Sequence, residues 1–278
     1  MSIEQERPSS AHQRYFLFCT HYSKRLKPKC GTNFLIDMEL IINFSGGKDS
    51  SLMLALLCEQ YPDVPKRVVM ADTGWEHPDA VEWSRDIVSL FGLELEVVQA
   101  VRESGEANSF FKMVEHRGMF PGMQQRQCTS DLKRGPIQKM IRNIPSTEKR
   151  PVYINCIGYR SEESRDRAKK KCIVLNNLLT NSKRIVWDYH PILAWKKADV
   201  FRYLKERLIP VHPVYNHLGR FSCRVCIYMT PHDLNQVAKF DPEAISIIEK
   251  TEKDIGFTMF MNGPIGTLIN TDHKKTPS

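Results

Sequence analysis

The residues with the clearest chemical potential form one short segment, Ser-Gly-Gly-Lys-Asp-Ser at positions 45–50. The apolar run Leu40–Phe44 precedes it and an amphipathic stretch follows, a pattern that predicts a strand, a tight turn and a helix. Two adjacent glycines let backbone N–H groups approach an anion, and the helix start adds unpaired donors. The segment predicts a phosphate-binding loop, although it lacks the GxxxxGKS spacing of a P-loop. The residues expected to bind phosphate are Ser45, Gly46, Gly47, Lys48, Asp49 and Ser50.

Three cysteines outside this loop suit metal or sulfur chemistry. Cys223 and Cys226 form a CxxC pair, which brings two sulfurs within reach of one metal ion or of each other. With Cys128 they provide three thiolates, one short of a complete cysteine cage. Cys156 and Cys172 are formal candidates for the fourth position, but small buried hydrophobic residues are their expected role. Zinc, a metal-free persulfide pair and no chemical role all remain open for the three cysteines.

The turn at Asp72, Thr73 and Gly74 is a second candidate for contact with a nucleotide. It follows the predicted strand Arg67–Ala71, and open α/β sheets bind ligands at the carboxyl ends of their strands. The same residues also suit a plain strand-to-helix turn capped by Asp72 or Thr73.

Basic residues follow the fourth predicted strand. Gly158 leads to Arg160 and Arg165, and guanidinium groups can hold phosphate oxygens with two parallel hydrogen bonds. Arg167 and the lysines at 169–171 extend the positive charge, which suits a triphosphate or a nucleic-acid backbone. The alternative is a solvated helix in which nearby acids pair with these bases.

The elements around these segments alternate between strand and helix from about residue 38. This alternation predicts an α/β domain with a mostly parallel sheet of about five strands and helices on both faces. We expect an amino-terminal extension over residues 1–36, the α/β domain over 37–208 and a helical appendage with the CxxC pair over 209–278. The predicted strands are Leu40–Phe44, Arg67–Ala71, Leu95–Val98, Val152–Ile157 and Arg184–Trp187. The predicted helices are Ser50–Gln60, Asp79–Leu90, Pro136–Ile141, Lys197–Arg207 and a stretch from Pro231 to about Lys253.

Amino-acid composition indicates the partners and the cellular setting of the protein. The 278 residues carry 40 Lys and Arg against 32 Asp and Glu, a formal net charge of +8 that fits polyanionic partners such as nucleic acid. No apolar run approaches the roughly 18 residues of a membrane span, and the first residues do not form a secretory signal. Eight cysteines without regular disulfide spacing favour a reducing, cytoplasmic setting. We therefore expect no membrane partner.

These motifs together resemble one family. The Ser-Gly-Gly-Lys-Asp-Ser loop is similar to the PP-loop of N-type ATP pyrophosphatases, and Asp-Thr-Gly with Pro78 is similar to a turn of phosphoadenylylsulfate (PAPS) reductases. The segments at 128–136 and 191–203 match the family patterns CTxxLKxxP and PxxxWxxxDVxxY. The segment at 158–164 matches the first seven positions of the pattern GxRxxESxR, and Asp166 stands where that pattern has its last arginine, directly after Arg165. The chain is identified as a member of the PAPS reductase-like superfamily, and the matches span about residues 38–230.

The resemblance implies a Rossmann-like, adenine nucleotide α-hydrolase-like fold that binds ATP with Mg²⁺. Lys48, Asp49 and Arg160 would be catalytic. Relatives with iron–sulfur clusters use cysteines at corresponding positions, so Cys128, Cys223 and Cys226 would hold a 4Fe-4S cluster, with zinc or no metal as alternatives. The nucleotide would bind to the loop and to Asp72, Thr73, Gly74, Gly158, Arg160 and Arg165.

The nearest resemblance is to the ATP pyrophosphatase component of DNA phosphorothioation systems (Dnd and Ssp types). It implies that ATP adenylates a nucleic-acid backbone oxygen, releases pyrophosphate and prepares the site for sulfur. DNA or another nucleic acid, a cysteine desulfurase as sulfur donor and other subunits of a modification complex would be partners. The alternatives are a PAPS or adenylylsulfate reductase, a tRNA thiolation enzyme and a non-catalytic nucleotide sensor. The reductase is disfavoured because its carboxy-terminal ECGLH motif is absent and the last cysteine is Cys226.

Overall fold

A six-stranded sheet organises the fold. The computed structural model describes residues 38–221 and 223–269, so the predicted extension over 1–36 lies outside the described residues. The strands lie in the order β3-β2-β1-β4-β6-β5, and all neighbours are parallel except β5, which runs antiparallel to β6. Their bounds are β1 Met38–Asn43, β2 Lys66–Asp72, β3 Leu95–Gln99, β4 Val152–Cys156, β5 Ile173–Leu175 and β6 Ile185–Tyr189.

Helices cover the sheet and continue beyond it. Because parallel strands need crossovers, most connections in the first part of the chain are helical. The helices are α1 Lys48–Gln60, α2 Ala80–Ser89, α3 Phe110–Arg117, α4 Gly135–Arg142, α5 Arg165–Ala168, α6 Lys197–Glu206, α7 Pro231–Phe240, α8 Pro242–Ile255 and α9 Ile265–Leu268. A short helical turn Gln127–Thr129 and a π-helical turn Ser130–Arg134 lead into α4.

The predicted α/β class is confirmed, and the structure corrects the details. The sheet has six strands instead of about five, because β5 is a three-residue edge strand that carries too little pattern to predict. Helix α3 was also missed, although Ser109 caps its start and Gly118, with a φ of 65°, ends it. The basic residues at 165–171 do not form one continuous helix, since α5 ends at Ala168 and the lysines at 169–171 follow it.

The core is divided between the sheet and the later part of the chain. Helices α1 and α6 pack their apolar residues against β1, β4 and β6, around Leu52, Cys156 and Val200. A second large cluster joins α3, the cysteine segment and α7–α8, with Phe110, Val225 and Ile248 among its buried members. None of the helices described within residues 38–269 is long and apolar enough to cross a membrane.

Candidate functional site

The loop predicted to bind phosphate, residues 45–50, lies where the direction of the crossovers between strands reverses. Strand β1 is flanked by β2 on one side and by β4 on the other, so successive crossovers leave a crevice at the carboxyl ends of β1 and β4. Open α/β sheets bind ligands at such a switch point. The loop follows β1 at this crevice, and Gly158 follows β4. The two segments are in contact, because a Cβ added at Gly158 would lie 3.6 Å from the Asp49 carbonyl oxygen.

Backbone conformation within the loop requires glycine at one position. Gly46 has a φ of 72°, and an added Cβ would lie 2.6 Å from Ser84 Oγ and 2.8 Å from Phe221 Cε1. Gly47 is the N-cap of α1 with an extended backbone. The Ser50 hydroxyl donates to the Gly47 carbonyl at 2.8 Å and accepts from the Ser45 N–H at 3.3 Å. The serines therefore shape the loop.

Two buried cations meet at Asp49. Lys48 and Arg160 are only 6% and 4% exposed. Lys48 Nζ lies 2.8 Å from Asp49 Oδ2, and Arg160 Nε donates to Asp49 Oδ1 at 2.6 Å. Arg160 also pairs with Glu162 and donates its backbone N–H to Glu163 Oε2 at 2.8 Å. The three residues predicted to be catalytic are therefore in contact, and both oxygens of Asp49 are occupied by cations instead of being free for a metal.

Aromatic residues from later in the chain cover the loop. Tyr215 accepts the Lys48 backbone N–H at 3.0 Å, and burial raises the pKa of its phenol to about 12. The Lys48 ammonium lies 5.4 Å from the Tyr215 ring centre. Trp83 donates its indole N–H to the Gly46 carbonyl at 3.0 Å, and Phe221 packs onto Gly46. Phe221 stands two residues before Cys223, so the loop and the cysteine segment are in close proximity.

The turn after β2 is held by its own hydrogen bonds. Asp72 accepts from the Gly74 N–H at 2.8 Å and from the Gln99 amide at 2.6 Å. Thr73 is 2% exposed and donates both its N–H and its hydroxyl to Glu76 Oε2. Gly74 has a φ of 70°, as a turn at this position requires. Neither Asp72 nor Thr73 caps the following helix, because the N-cap residue of that helix is Asp79. An isolated antiparallel bridge between Glu76 and Cys223 places the turn beside the cysteine segment.

The basic segment divides into buried and exposed parts. Arg160 faces Asp49, whereas Arg165 is exposed at the start of α5. Arg167 pairs with Glu163 and lies 4.5 Å from the ring centre of Tyr159. The three lysines at 169–171 are exposed. The structure thus brings Arg160 to the loop and leaves Arg165 with the lysines on the surface.

The three candidate cysteines lie in one neighbourhood. Burial raises the pKa of Cys128 and of Cys223, the latter to about 12, and each is raised further by charge on Cys226. Lys133 is close enough to oppose both shifts. Cys226 also lines a small surface cavity with Arg220. The thiols are therefore close enough to interact, and a nearby ammonium compensates negative charge on them.

The donor set fits a cluster better than a single zinc ion. Soft thiolates suit both, but sulfurs that share one tetrahedral zinc stand about 3.8 Å apart at a Zn–S distance of roughly 2.3 Å. Among the described residues, no three of these cysteine sulfurs and neighbouring carboxylates lie mutually within 4.8 Å. Ligands of different irons in a cluster stand further apart than ligands of one ion. Cys58, Cys156 and Cys172 belong to the sheet core instead, which agrees with a packing role.

One side-chain group near the loop was missed from the sequence. His77, Asp79 and His212 place potential ligand atoms within 4.8 Å of one another. The Val214 N–H donates to His212 Nδ1 at 3.1 Å, so the proton of neutral His212 is on Nε2, 3.0 Å from Asp79 Oδ2. Burial alone would raise the pKa of Asp79, but hydrogen bonds from His212 and His77 lower it. This is a hydrogen-bonded triad, because a metal on Nε2 would need its lone pair free.

Comparison with known proteins gives the family. The phosphoadenosine phosphosulfate reductase domain matches residues 39–226, more than half of the chain. The chain therefore belongs to the PAPS reductase family. An uncharacterized 37.8 kDa protein from Escherichia phage 186 is 27% identical over 253 residues, which are 77% of this chain and 74% of that protein. A phosphoadenosine 5'-phosphosulfate reductase from Alkalilimnicola ehrlichii is 23% identical, over 66% of this chain and 67% of the enzyme.

Solved structures with related folds share little sequence with the chain. The PAPS reductase from Candida auris in its phosphate complex is 13% identical with a TM-score of 0.45, covering 76% of this chain and 93% of that one. The U34-tRNA thiolase NcsA from Methanococcus maripaludis, with its 4Fe-4S cluster, is 16% identical with a TM-score of 0.44, covering 99% and 93%.

Proposed function

We propose that this protein is an ATP pyrophosphatase that activates a nucleic-acid backbone oxygen for sulfur incorporation, with DNA phosphorothioate modification as the specific reaction. The main support is one juxtaposition. The cation-lined loop at the switch point touches Phe221, and Phe221 leads directly into a segment with two of three neighbouring cysteines. A nucleotide-activating site and a sulfur-handling site thus adjoin.

The loop and the two buried cations each have a role in this reaction. The loop N–H groups, Lys48 and Arg160 stabilise negative charge on the departing pyrophosphate, because preformed donors in a buried site need little reorganisation. A backbone oxygen of the acceptor attacks the α-phosphorus, a P–O bond to the β-phosphate breaks, and pyrophosphate carries away the electron pair. Asp49 orients the two cations, since its oxygens contact both. Mg²⁺ bound to the ATP phosphates would neutralise further charge.

Cys128, Cys223 and Cys226 would hold a 4Fe-4S cluster. When bound, such a cluster supplies iron that can carry a sulfur ligand. The chain itself contributes the partly buried thiolates and Lys133, whose ammonium offsets their charge. A cysteine desulfurase would supply the sulfur, and further subunits would complete the modification complex.

The exposed lysines at 169–171, with Arg165 and Arg134, would contact the nucleic-acid backbone. Lys133 does not belong to this surface, because its ammonium pairs with Glu76 and lies beside the cysteines. Binding should weaken with salt by about 0.9 log units per log unit for each duplex phosphate neutralised. Replacing Lys169, Lys170 and Lys171 by Glu should reduce this slope and weaken DNA binding at all sequences, with unchanged ATP affinity.

The test of this surface is a salt titration of duplex DNA, single-stranded DNA and tRNA binding by wild type and the triple variant. Salt-dependent duplex binding that the variant loses supports the proposal, whereas selective tRNA binding would favour thiolation of tRNA. The second candidate is the reductase activity for which several relatives are named. Thiol-dependent sulfite release from PAPS, without DNA binding, would establish that alternative.

A further inference from the structure

Glu76 connects the turn after β2 to the cysteine segment. It lies three residues after Thr73 and forms an isolated antiparallel bridge with Cys223. Directly opposed residues in an antiparallel pair project their side chains to the same face. The Glu76 carboxylate and the Cys223 thiol therefore lie on one side of this bridge, and the electrostatic effect of Glu76 on Cys223 agrees with that placement.

The two oxygens of Glu76 have different surroundings. Oε2 accepts the Thr73 N–H at 2.8 Å and the Thr73 hydroxyl at 2.7 Å. Oε1 is buried and has no hydrogen-bond partner within the described chain. Lys133 Nζ lies 3.1 Å from Oε1 as an ion pair, outside hydrogen-bond geometry. The side chain is only 10% exposed, so Oε1 is a buried carboxylate oxygen that is paired with the Lys133 ammonium but accepts no aligned hydrogen bond among the described residues. Such an atom requires an explanation.

The surroundings of Lys133 indicate which groups lie near Glu76 Oε1. Burial lowers the pKa of the Lys133 ammonium, but negative charge on Cys223, Glu76 and Cys128 raises it by more. The ammonium thus stands among the thiols and the carboxylate together. Among the described residues, Cys156 and Cys172 pack in the sheet core, and Asp241 and Glu243 are paired with Arg224, so none of these four is as well placed as Glu76 to be a fourth ligand.

We propose that Glu76, through Oε1, is the fourth ligand of the metal group held by Cys128, Cys223 and Cys226. The inference rests on the cluster in the proposed function and assigns the position that the cysteines leave open. A carboxylate oxygen is a harder ligand than thiolate and binds iron less strongly, so incoming sulfide can displace it. Thr73 would retain Oε2 during that exchange, which links the turn beside the nucleotide site to the cluster.

The experiment uses the full-length protein, purified and reconstituted without oxygen, with glutamate labelled by ¹³C at the side-chain carboxyl. Electron–nuclear double resonance of the reduced cluster detects a labelled carboxylate bound to iron. We expect a ¹³C coupling in wild type and in the control Glu243→Gln, and its loss in Glu76→Gln. The amide can still accept both Thr73 hydrogen bonds, which protects the turn. Iron loss on mild oxidation should be at least about tenfold faster in Glu76→Gln, because an oxygen ligand has been removed.

Wild-type protein alone already decides the inference if Glu76→Gln fails to fold. A loaded cluster without ¹³C coupling in wild type, or with coupling retained in Glu76→Gln, would overturn the role of Glu76 and leave the cluster intact. Protein that binds no iron would overturn both the ligand and the cluster. Pyrophosphate release from ATP, measured on the same samples, tests the rest of the proposed function separately.

Discussion

The loop at residues 45–50 and the cluster of Cys128, Cys223 and Cys226 are positioned by different parts of the fold. Lys48 and Asp49 are neighbours in sequence, and the sheet brings Arg160 to them from the adjacent strand β4. The cysteines come from the turn before α4 and from the segment after residue 221, outside the sheet. The strands and crossovers of the sheet therefore fix the first site. The second site is held by the second core cluster and by contacts among the turn at 73–76, Lys133 and the cysteine segment.

Those contacts are specific. The Trp75 indole N–H donates to the Val225 carbonyl at 3.0 Å, and the Arg224 N–H donates to the Trp75 carbonyl at 3.1 Å. The Arg224 guanidinium lies 5.2 Å from the Trp75 ring centre and pairs with Asp241 on the helical side. This difference implies that substitutions in the loop should abolish pyrophosphate release from ATP. Substitutions around the cysteines should instead release metal or destabilise the segment after residue 221.

The largest effect is expected for Gly46→Val. The side chain would collide with Ser84 and Phe221 at a φ of 72°, so we expect loss of ATP-dependent pyrophosphate release and a stability loss of more than about 2 kcal/mol. Gly92→Ala is a control for strain alone, because Gly92 has a φ of 66° and an added Cβ meets nothing within 4 Å. Chemical denaturation and a pyrophosphate assay measure both effects. Equal losses in the two variants would contradict the close packing at Gly46.

Lys48→Ala should reduce pyrophosphate release by about 10²–10³-fold while the fold remains intact, since one preorganised charge is removed. Gly47→Val should have a comparable effect, because an added Cβ there lies 3.2 Å from the Tyr215 hydroxyl. Lys250→Ala is the control, as Lys250 is exposed and pairs only with Asp254 among the described contacts. Unchanged turnover by a folded Lys48→Ala protein would remove the loop from the reaction.

Substitutions at the cysteines test whether metal binding and ATP binding are independent. Cys128→Ser, Cys223→Ser and Cys226→Ser should each lose most bound iron and keep wild-type ATP affinity, because the loop lies outside the cysteine cluster. Cys58→Ser should keep its iron, since Cys58 packs against the sheet core. Iron analysis of anaerobic protein and nucleotide titration measure the outcome. Wild-type protein that binds no iron would refute the cluster, whereas ATP affinity that falls with iron content would refute the independence of the two sites.

The smallest expected effect is a pH dependence at Asp241. Its pKa is lowered, chiefly by the hydrogen bond from Arg224. A lowered folded-state pKa contributes stability above the unfolded value of about 3.9, and that contribution is lost as pH falls through the folded-state pKa. Asp241→Asn should therefore lower Tm by about 2–4 °C at neutral pH and much less at pH 2–3. Glu243 pairs with the same arginine but its side chain is 76% exposed, so Glu243→Gln should change Tm little. A pH-independent Asp241→Asn effect would exclude the ion pair as its cause.

The predicted strand, tight turn and helix around residues 45–50 are confirmed, because these six residues are contiguous and the apolar patterns on both sides are strong. Five strands were identified from their apolar runs, while β5 was missed because its three residues are half exposed at an edge. Arg160 and Arg165 could not be distinguished, since only tertiary structure shows that one faces Asp49 and the other solvent. Glu76 and the triad of His77, Asp79 and His212 carry no local signal, because their partners come from distant segments.

The central claim is that a nucleic-acid backbone oxygen attacks the α-phosphorus of ATP. The direct measurement uses duplex DNA labelled with ¹⁸O at its non-bridging phosphate oxygens, with ATP and sulfide as the sulfur source under anaerobic conditions. If the claim is correct, sulfur displaces the activated oxygen, and mass spectrometry finds ¹⁸O in the AMP that leaves. Pyrophosphate should form in equal amount to AMP. Unlabelled AMP that takes its oxygen from water, or no AMP alongside sulfite release from PAPS, would contradict the account.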